Sequence, residues 1–206
     1  VTLAEALAQG DGSARLQAAM DAGTRPDPSF IPVLIARCEI EPDFSVREML
    51  TWALVRHPAD LTLPPLIDEL GSEVSQARSQ ALHTLSKIGD ERAWPAIAPA
   101  LLFDSDDTVA RTAWRAAVAV APEAERAGLA ATLATLLGRG DRDVRMSLAR
   151  ALAALAPESD AVLRQVATSA DAAVRVHALA TLRIVADPDE AWETAEFEAR
   201  KALPIE

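Results

Sequence analysis

The sequence is poor in most of what marks a secreted protein or a hydrolytic enzyme. Among its 206 residues are one cysteine, no tyrosine, three histidines and only 4% aromatics. A single thiol, Cys38, cannot close an internal disulfide, so no oxidising compartment is demanded and a reduced, cytoplasmic setting is expected. No run of about 18 apolar residues escapes a charge or a proline, which argues against a membrane-spanning helix. The opening "VTLAEALAQGDGSA" lacks the basic start and long apolar run of an export signal, and the chain reads as soluble; because it starts on Val1 and not Met, an upstream domain stays open. Positive charge is short as well: 20 Lys and Arg stand against 31 Asp and Glu, a net charge of −11, which disfavours nucleic-acid binding driven by overall charge. An acidic sum still leaves room for a basic face.

Catalytic signatures are missing too. There is no G-x-S-x-G, P-loop, G-x-G-x-x-G or H-E-x-x-H. His57, His83 and His177 stand far apart and none is followed by Glu, so metal catalysis is not expected. The chain is read as a non-enzyme with no cofactor, no metal and no catalytic residue.

What the sequence does have is Ala and Leu, which carry much of a 50% hydrophobic share and favour helix. It also has a repeat. "DRDVRMSLARALAAL" at 141–155 is echoed by "DAAVRVHALATLRIV" from 171, "DFSVREMLTWALV" from 43, "DTVARTAWRAAVAV" from 107, "DGSARLQAAM" from 11 and, more weakly, "VSQARSQALHTLSKIG" near 73. Taking the Arg of each copy as origin gives Arg15, Arg47, Arg78, Arg111, Arg145 and Arg175, spaced by 32, 31, 33, 34 and 30 residues. A steady period in that range is the mark of a repeat array with one continuous core.

Small or apolar residues 3, 6 and 7 positions after the Arg, such as Leu148, Ala151 and Leu152, form one helical stripe. The Asp four residues before the Arg, at 11, 43, 107, 141 and 171, stands where an N-cap belongs; in the third copy Ser72 or Glu73 takes that place. Upstream of each such helix B lies a helix A, at 29–40, 63–70, 93–103, 128–137 and 160–167, with Pro32, Pro64 and Pro95 early in three of them and Pro99 expected to kink the third. The expected units are roughly 1–23, 24–57, 58–89, 90–121, 122–156 and 157–187, closed by a capping helix over 188–203, all in one domain, 1–206. Trp94, Trp192, Phe103 and Phe197 are expected to pack, Trp114 to be core, and Cys38 to be a buried small hydrophobe.

Pro early in helix A, Asp at the A–B turn and Val-Arg-x-x-Ala-x-x-Ala-Leu along helix B, carried most fully by Asp141 to Leu152 and Asp171 to Leu182, resemble the short HEAT-like repeats grouped with bilin lyases. The Trp, Gly-Tyr and Pro signature of tetratricopeptide repeats and the Thr-Pro-Leu-His of ankyrin repeats are absent. The resemblance implies an all-α superhelical solenoid of about six helix pairs with a C-terminal cap. It further implies that Asp11, Asp43, Asp107, Asp141 and Asp171, with Arg15, Arg47, Arg78, Arg111, Arg145 and Arg175, form a structural ladder of hydrogen bonds between neighbouring turns.

In this family the concave wall is lined by the B helices, so function is expected there. Helical phase puts positions 1, 5, 8, 9 and 12 after the Arg on that wall. These include Glu48, Trp52, Val55 and Arg56; Ser79, His83, Lys87 and Asp90; Thr112, Ala116 and Val120; Met146 and Arg150; and Val176, Ala180, Arg183 and Ile184, with Arg115 at the edge. Acids are scarce among them, and Trp52 amid Arg has the composition of a binding hot spot. The favoured function is a monomeric protein-binding scaffold that holds an acidic or amphipathic partner segment in the groove. Its binding residues are Trp52, Arg56, His83, Lys87, Arg115, Arg150 and Arg183, while Glu39, Glu41, Asp68, Glu69 and Asp104 keep the outer side soluble. One alternative is a HEAT-like DNA-binding protein of the alkylpurine DNA glycosylase type, against which stand the missing Tyr and the absence of an Asp in the middle of the wall. The other is a bilin-lyase-like accessory protein.

Overall fold

The computed structural model describes residues 1–202; Leu203, the last residue of the expected capping helix, lies outside the described residues. Among the described residues every regular element is helical, and the fold is that of the all-α repeat solenoids. The chain divides into two compact units, Val1–Val120 and Ala121–Glu206.

The first unit alternates A and B helices: α1 (Leu3–Leu7) then α2 (Gly12–Thr24), α3 (Ile31–Ile40) then α4 (Phe44–Val55), and α5 (Ala59–Glu69) then α6 (Ser75–Ile88). A 3-10 segment, Glu91–Ala96, and α7 (Pro99–Leu102) then precede α8 (Asp107–Val120). The B helices pack in series, α2 on α4, α4 on α6 and α6 on α8, and each is backed by its own A helix. Leu34 and Leu66 on the A helices and Leu50, Leu54, Leu82 and Leu85 on the B helices are fully buried. Each such leucine contributes about 1.5–3 kcal/mol of burial, which is how weakly amphipathic helices of this length persist.

Asp11 and Asp43 cap α2 and α4 through the amides of Ser13 and Ser45. In the fourth copy the cap falls one residue earlier than expected, on Asp106, whose Oδ1 accepts from the amides of Thr108 and Val109 at 2.8 and 3.3 Å. Asp107 is instead the first helical residue. The cause is the buried valine three residues after the cap: Val46, Val144 and Val109 all sit in the core, and Val109 counts back to Asp106. The phase of α8 therefore places Ala110 where other copies have Arg. In the third copy neither candidate caps α6 itself; Ser72 Oγ accepts from the Val74 amide, one turn-residue short of the helix.

Two proline expectations change. α5 begins at Ala59 behind Pro58, so Pro64 and Pro65 lie inside it and not in its first turn. Pro99 kinks nothing, because the 3-10 segment ends at Ala96 and Pro99 opens a new helix.

The second unit holds α9 (Glu123–Ala134), α10 (Arg142–Ala153), α11 (Asp160–Val166), α12 (Ala172–Ala186) and α13 (Trp192–Lys201). The B helices α10 and α12 pack together, and α13 lies on α12. Trp192, Ala195 and Ala199 of α13 are buried in one cluster with Ala149, Ala180 and Ile184. His177 meets the Trp192 ring edge-on at 5.5 Å. Its Nδ1 accepts from the Gly138 amide at 3.0 Å, which leaves Nε2 to donate to Arg145 O at 2.9 Å. Burial holds this imidazole neutral, with its pKa lowered to about 4. Gly138 has φ +89, and a Cβ there would stand 3.0 Å from Val174 Cγ2, so the turn requires glycine.

Trp114 is fully buried with Nε1 donating to Leu102 O at 2.9 Å, and burial pushes the Cys38 thiol up to about 12. Phe103 and Phe197, expected to pack, are exposed. Phe103 closes the four-residue α7, and Phe197 lies on the free side of α13 beneath Lys201.

Candidate binding wall

The repeated arginines have first to be separated from any binding role. Arg47 Nη1 donates to Glu41 O and Pro42 O at 2.9 Å each, Arg78 Nη1 to Ser72 O and Glu73 O, and Arg175 Nη1 to Ser169 O and Ala170 O. Arg15 does the same with Gln9 O and Gly10 O, and Arg145 reaches Gly140 O. Each arginine thus ties down the carbonyls of its own A–B turn, groups that the end of helix A leaves unpaired. Asp141 and Asp171 are spent on capping amides. In the fourth copy Ala110 holds the arginine's place, and Arg111 stands one step further round α8.

Links from one turn to the next come from other acids. Glu41 accepts from Arg15 Nε and Nη2 at 2.9 and 2.8 Å, from Arg37 Nε at 2.8 Å and from the Asp43 amide at 2.9 Å. Asp104 accepts from Arg78 Nη2 at 3.1 Å. Both were expected on the outer surface. Instead Glu41 is fully buried and Asp104 half-buried, because each stands six residues before an origin, at 47 and at 110, facing the arginine of the preceding copy. Burial alone would raise the Glu41 pKa; the Arg15, Asp43 and Arg37 hydrogen bonds outweigh it and hold the carboxyl at about 2. That shared offset was legible in the sequence.

With the phase of α8 reset, Met20, Trp52, His83 and Arg115 occupy one position on four successive B helices, five residues after Arg15, Arg47, Arg78 and Ala110. Arg115 is therefore in the row and not at its edge, while Thr112, Ala116 and Val120, expected on the wall, are buried. Trp52 is 40% exposed. Its ring lies on the backbone of Gly23 in α2, where a Cβ would come within 2.3 Å of Cζ3, and the Arg56 guanidinium stands 5.9 Å from a ring centroid. Only glycine lets the indole lie this flat across two helices.

The next two helices carry charge. His83 Nε2 stands 2.9 Å from Glu48 Oε1, close but poorly aligned for a hydrogen bond. Burial lowers the His83 pKa, Glu48 raises it, and Arg115 and Lys87 lower it again, the net direction being down. Arg56, Lys87 and Arg115 form no ion pair among the described residues. Asp90, also expected on this wall, is occupied by Arg92, whose hydrogen bonds hold its carboxyl at about 2. Ser79 is buried.

The other two candidates lie in the second unit. Arg183 is held by Glu190, with Nε at 3.1 Å from both carboxylate oxygens and Nη2 at 2.5 Å from one. Arg150 is exposed and unpaired among the described residues. Ala180 and Ile184, expected to face the groove, are covered by α13. Among the described residues no three His, Cys, Asp or Glu are grouped to hold a metal ion, and no helix is long and apolar enough to cross a membrane.

Residues 41–119 match the family model for HEAT repeats, in line with the resemblance read from the repeated motif. No curated protein matches the chain. Among solved structures, the complex of CpcE and CpcF of phycocyanin lyase from Nostoc sp. PCC7120 is similar with a TM-score of 0.51 and 20% identity, over 99% of this chain and 88% of that one. An engineered protein is similar over 94% of this chain and 96% of its own, with 22% identity and a TM-score of 0.48. At 20% identity the likeness to the lyase complex is one of fold alone.

Proposed function

We propose that the protein is a non-enzymatic scaffold, and that the B-helix wall of its first unit binds an acidic or amphipathic segment of a protein partner. One observation carries this reading: a half-exposed tryptophan, seated on glycine with Arg56 at its ring, shares the B-helix wall with Lys87 and Arg115, and none of the three cations is ion-paired among the described residues. In a molecule of net charge −11, unpaired cations on one wall with an exposed indole are placed to receive carboxylates. The indole offers a large, rigid apolar contact of the kind that dominates interface energies.

The test is a titration of a fluorescein-labelled Glu-rich peptide containing one Phe, with a DNA duplex carrying an alkylated purine as the competing probe. Saturable peptide binding that the Arg56→Glu, Lys87→Glu double variant weakens by about tenfold or more is expected. Preferential retention of the duplex, with base release, would replace the scaffold reading by the DNA glycosylase one.

A further inference from the structure

The row of equivalent positions is chemically graded. Along α2, α4, α6 and α8 it runs Met20, Trp52, His83, Arg115, from two exposed apolar side chains through an imidazole to a free guanidinium. The imidazole is already fronted by a carboxylate, since Glu48 Oε1 of the same chain stands 2.9 Å from its Nε2. An incoming carboxylate is therefore turned away from the middle of the row and toward Arg115, with Lys87 one turn on from His83 beside it. At the other end Gly23 and Met20 extend the apolar platform under and beside Trp52.

Resting on the binding role proposed above, we infer that the partner segment crosses the B helices at a steep angle, with one large apolar side chain on Trp52 and Met20 and its acidic residues on Arg115 and Lys87. Packed helices lie about 8–10 Å apart, so the two helix steps from α4 to α8 span on the order of 20 Å. An extended chain covers that in about six residues at ~3.3 Å each. The wall thus selects spacing as well as composition: a large apolar residue and an acidic pair separated by about five residues. Peptides of the same composition with the two groups adjacent can satisfy only one end at a time.

Two peptides of identical composition, a Phe and a Glu-Glu pair set adjacent or about five residues apart in a Ser/Gly background, are titrated against the full chain. The spaced peptide is expected to bind about tenfold more tightly. Arg115→Glu is expected to remove that advantage and a spaced peptide with Lys-Lys in place of Glu-Glu to restore it. Arg115 is exposed, so this variant is expected to fold, whereas Trp52→Ala is used only with its melting curve in hand. Equal affinity for the two peptides, with binding still lost in Arg56→Glu, Lys87→Glu, would overturn the spacing rule and leave the scaffold reading standing. No binding of either peptide overturns both.

Discussion

The same repeat builds two B-helix walls with opposite fates. In Val1–Val120 the row through Met20, Trp52, His83 and Arg115 stays open, and Arg115 and the neighbouring Arg56 and Lys87 form no ion pair among the described residues. In Ala121–Glu206 the corresponding face of α12 is shut by α13, Ala180 and Ile184 are buried against Trp192 and Ala195, and Arg183 is held by Glu190. Wall chemistry in a repeat array is therefore set less by the repeat, which places similar residue types at similar positions, than by whatever follows the last helix B. The second unit shows what a covered wall looks like in this chain: small apolar residues beneath a helix that brings its own acids. The first presents an indole, an imidazole and guanidiniums, and among the described residues one carboxylate, Glu48, stands beside them, against His83.

Removing the cover should have the largest effect. Trp192→Ala deletes an indole that is 4% exposed at the centre of the α12–α13 contact and is expected to cost about 3–5 kcal/mol, read as a fall in melting temperature with new dye binding at α12. An unchanged melting curve would mean that α13 does not shut this wall.

Glu41→Ala asks whether the open unit depends on its buried ion cluster. Left without their carboxylate, Arg15 and Arg37 stand unpaired at low exposure, and a loss of about 3 kcal/mol is expected. Glu41→Leu, which removes the charge but keeps the volume, separates loss of the pair from loss of packing.

Gly23→Ala acts on the wall itself. The added methyl would clash with the Trp52 ring and with Ala53 Cα at 2.9 Å, costing about 1–3 kcal/mol and driving the indole outward. A red shift of tryptophan emission with loss of peptide affinity is expected; an unshifted spectrum would contradict the flat packing of Trp52.

Acid should separate the units by a smaller margin. His177 titrates at about 4 in the fold against its ordinary 6.5, so the unfolded chain binds the extra proton and α12 loses stability as pH falls from about 6.5 to 4. Glu41 titrates at about 2 in the fold against 4.5, so its contribution is present above about 4.5 and is lost only as pH falls toward 2. Amide exchange near pH 5 should therefore accelerate in α12 before α4. Simultaneous loss would count against this assignment.

Period, helix pairing, the apolar stripes, buried Trp114 and the caps on Asp11, Asp43, Asp141 and Asp171 were all legible, because each follows from local spacing and from the amides a helix start leaves unpaired. The phase of α8 was misjudged by one residue because an Arg was taken as origin where the buried valine is the better marker. Glu41 shares a readable offset with Asp104, but its burial was hidden among surface acids because it depends on Arg15 of α2 reaching the end of α3, where Arg37 of the same helix joins it. The cover over Ala180 and Ile184 was not readable either: the amphipathic pattern of 192–201 specifies a helix with one apolar face but not the surface it meets.

The central claim is that binding belongs to the open wall. Its most direct test is the affinity of the spaced acidic peptide for Arg56→Glu, Lys87→Glu in the first unit and for Arg150→Glu in the second, at matched low and physiological salt. The account predicts a loss of about tenfold or more from the first and no more than about twofold from the second. Equal losses from both would show a diffuse response to charge and contradict a site at Trp52.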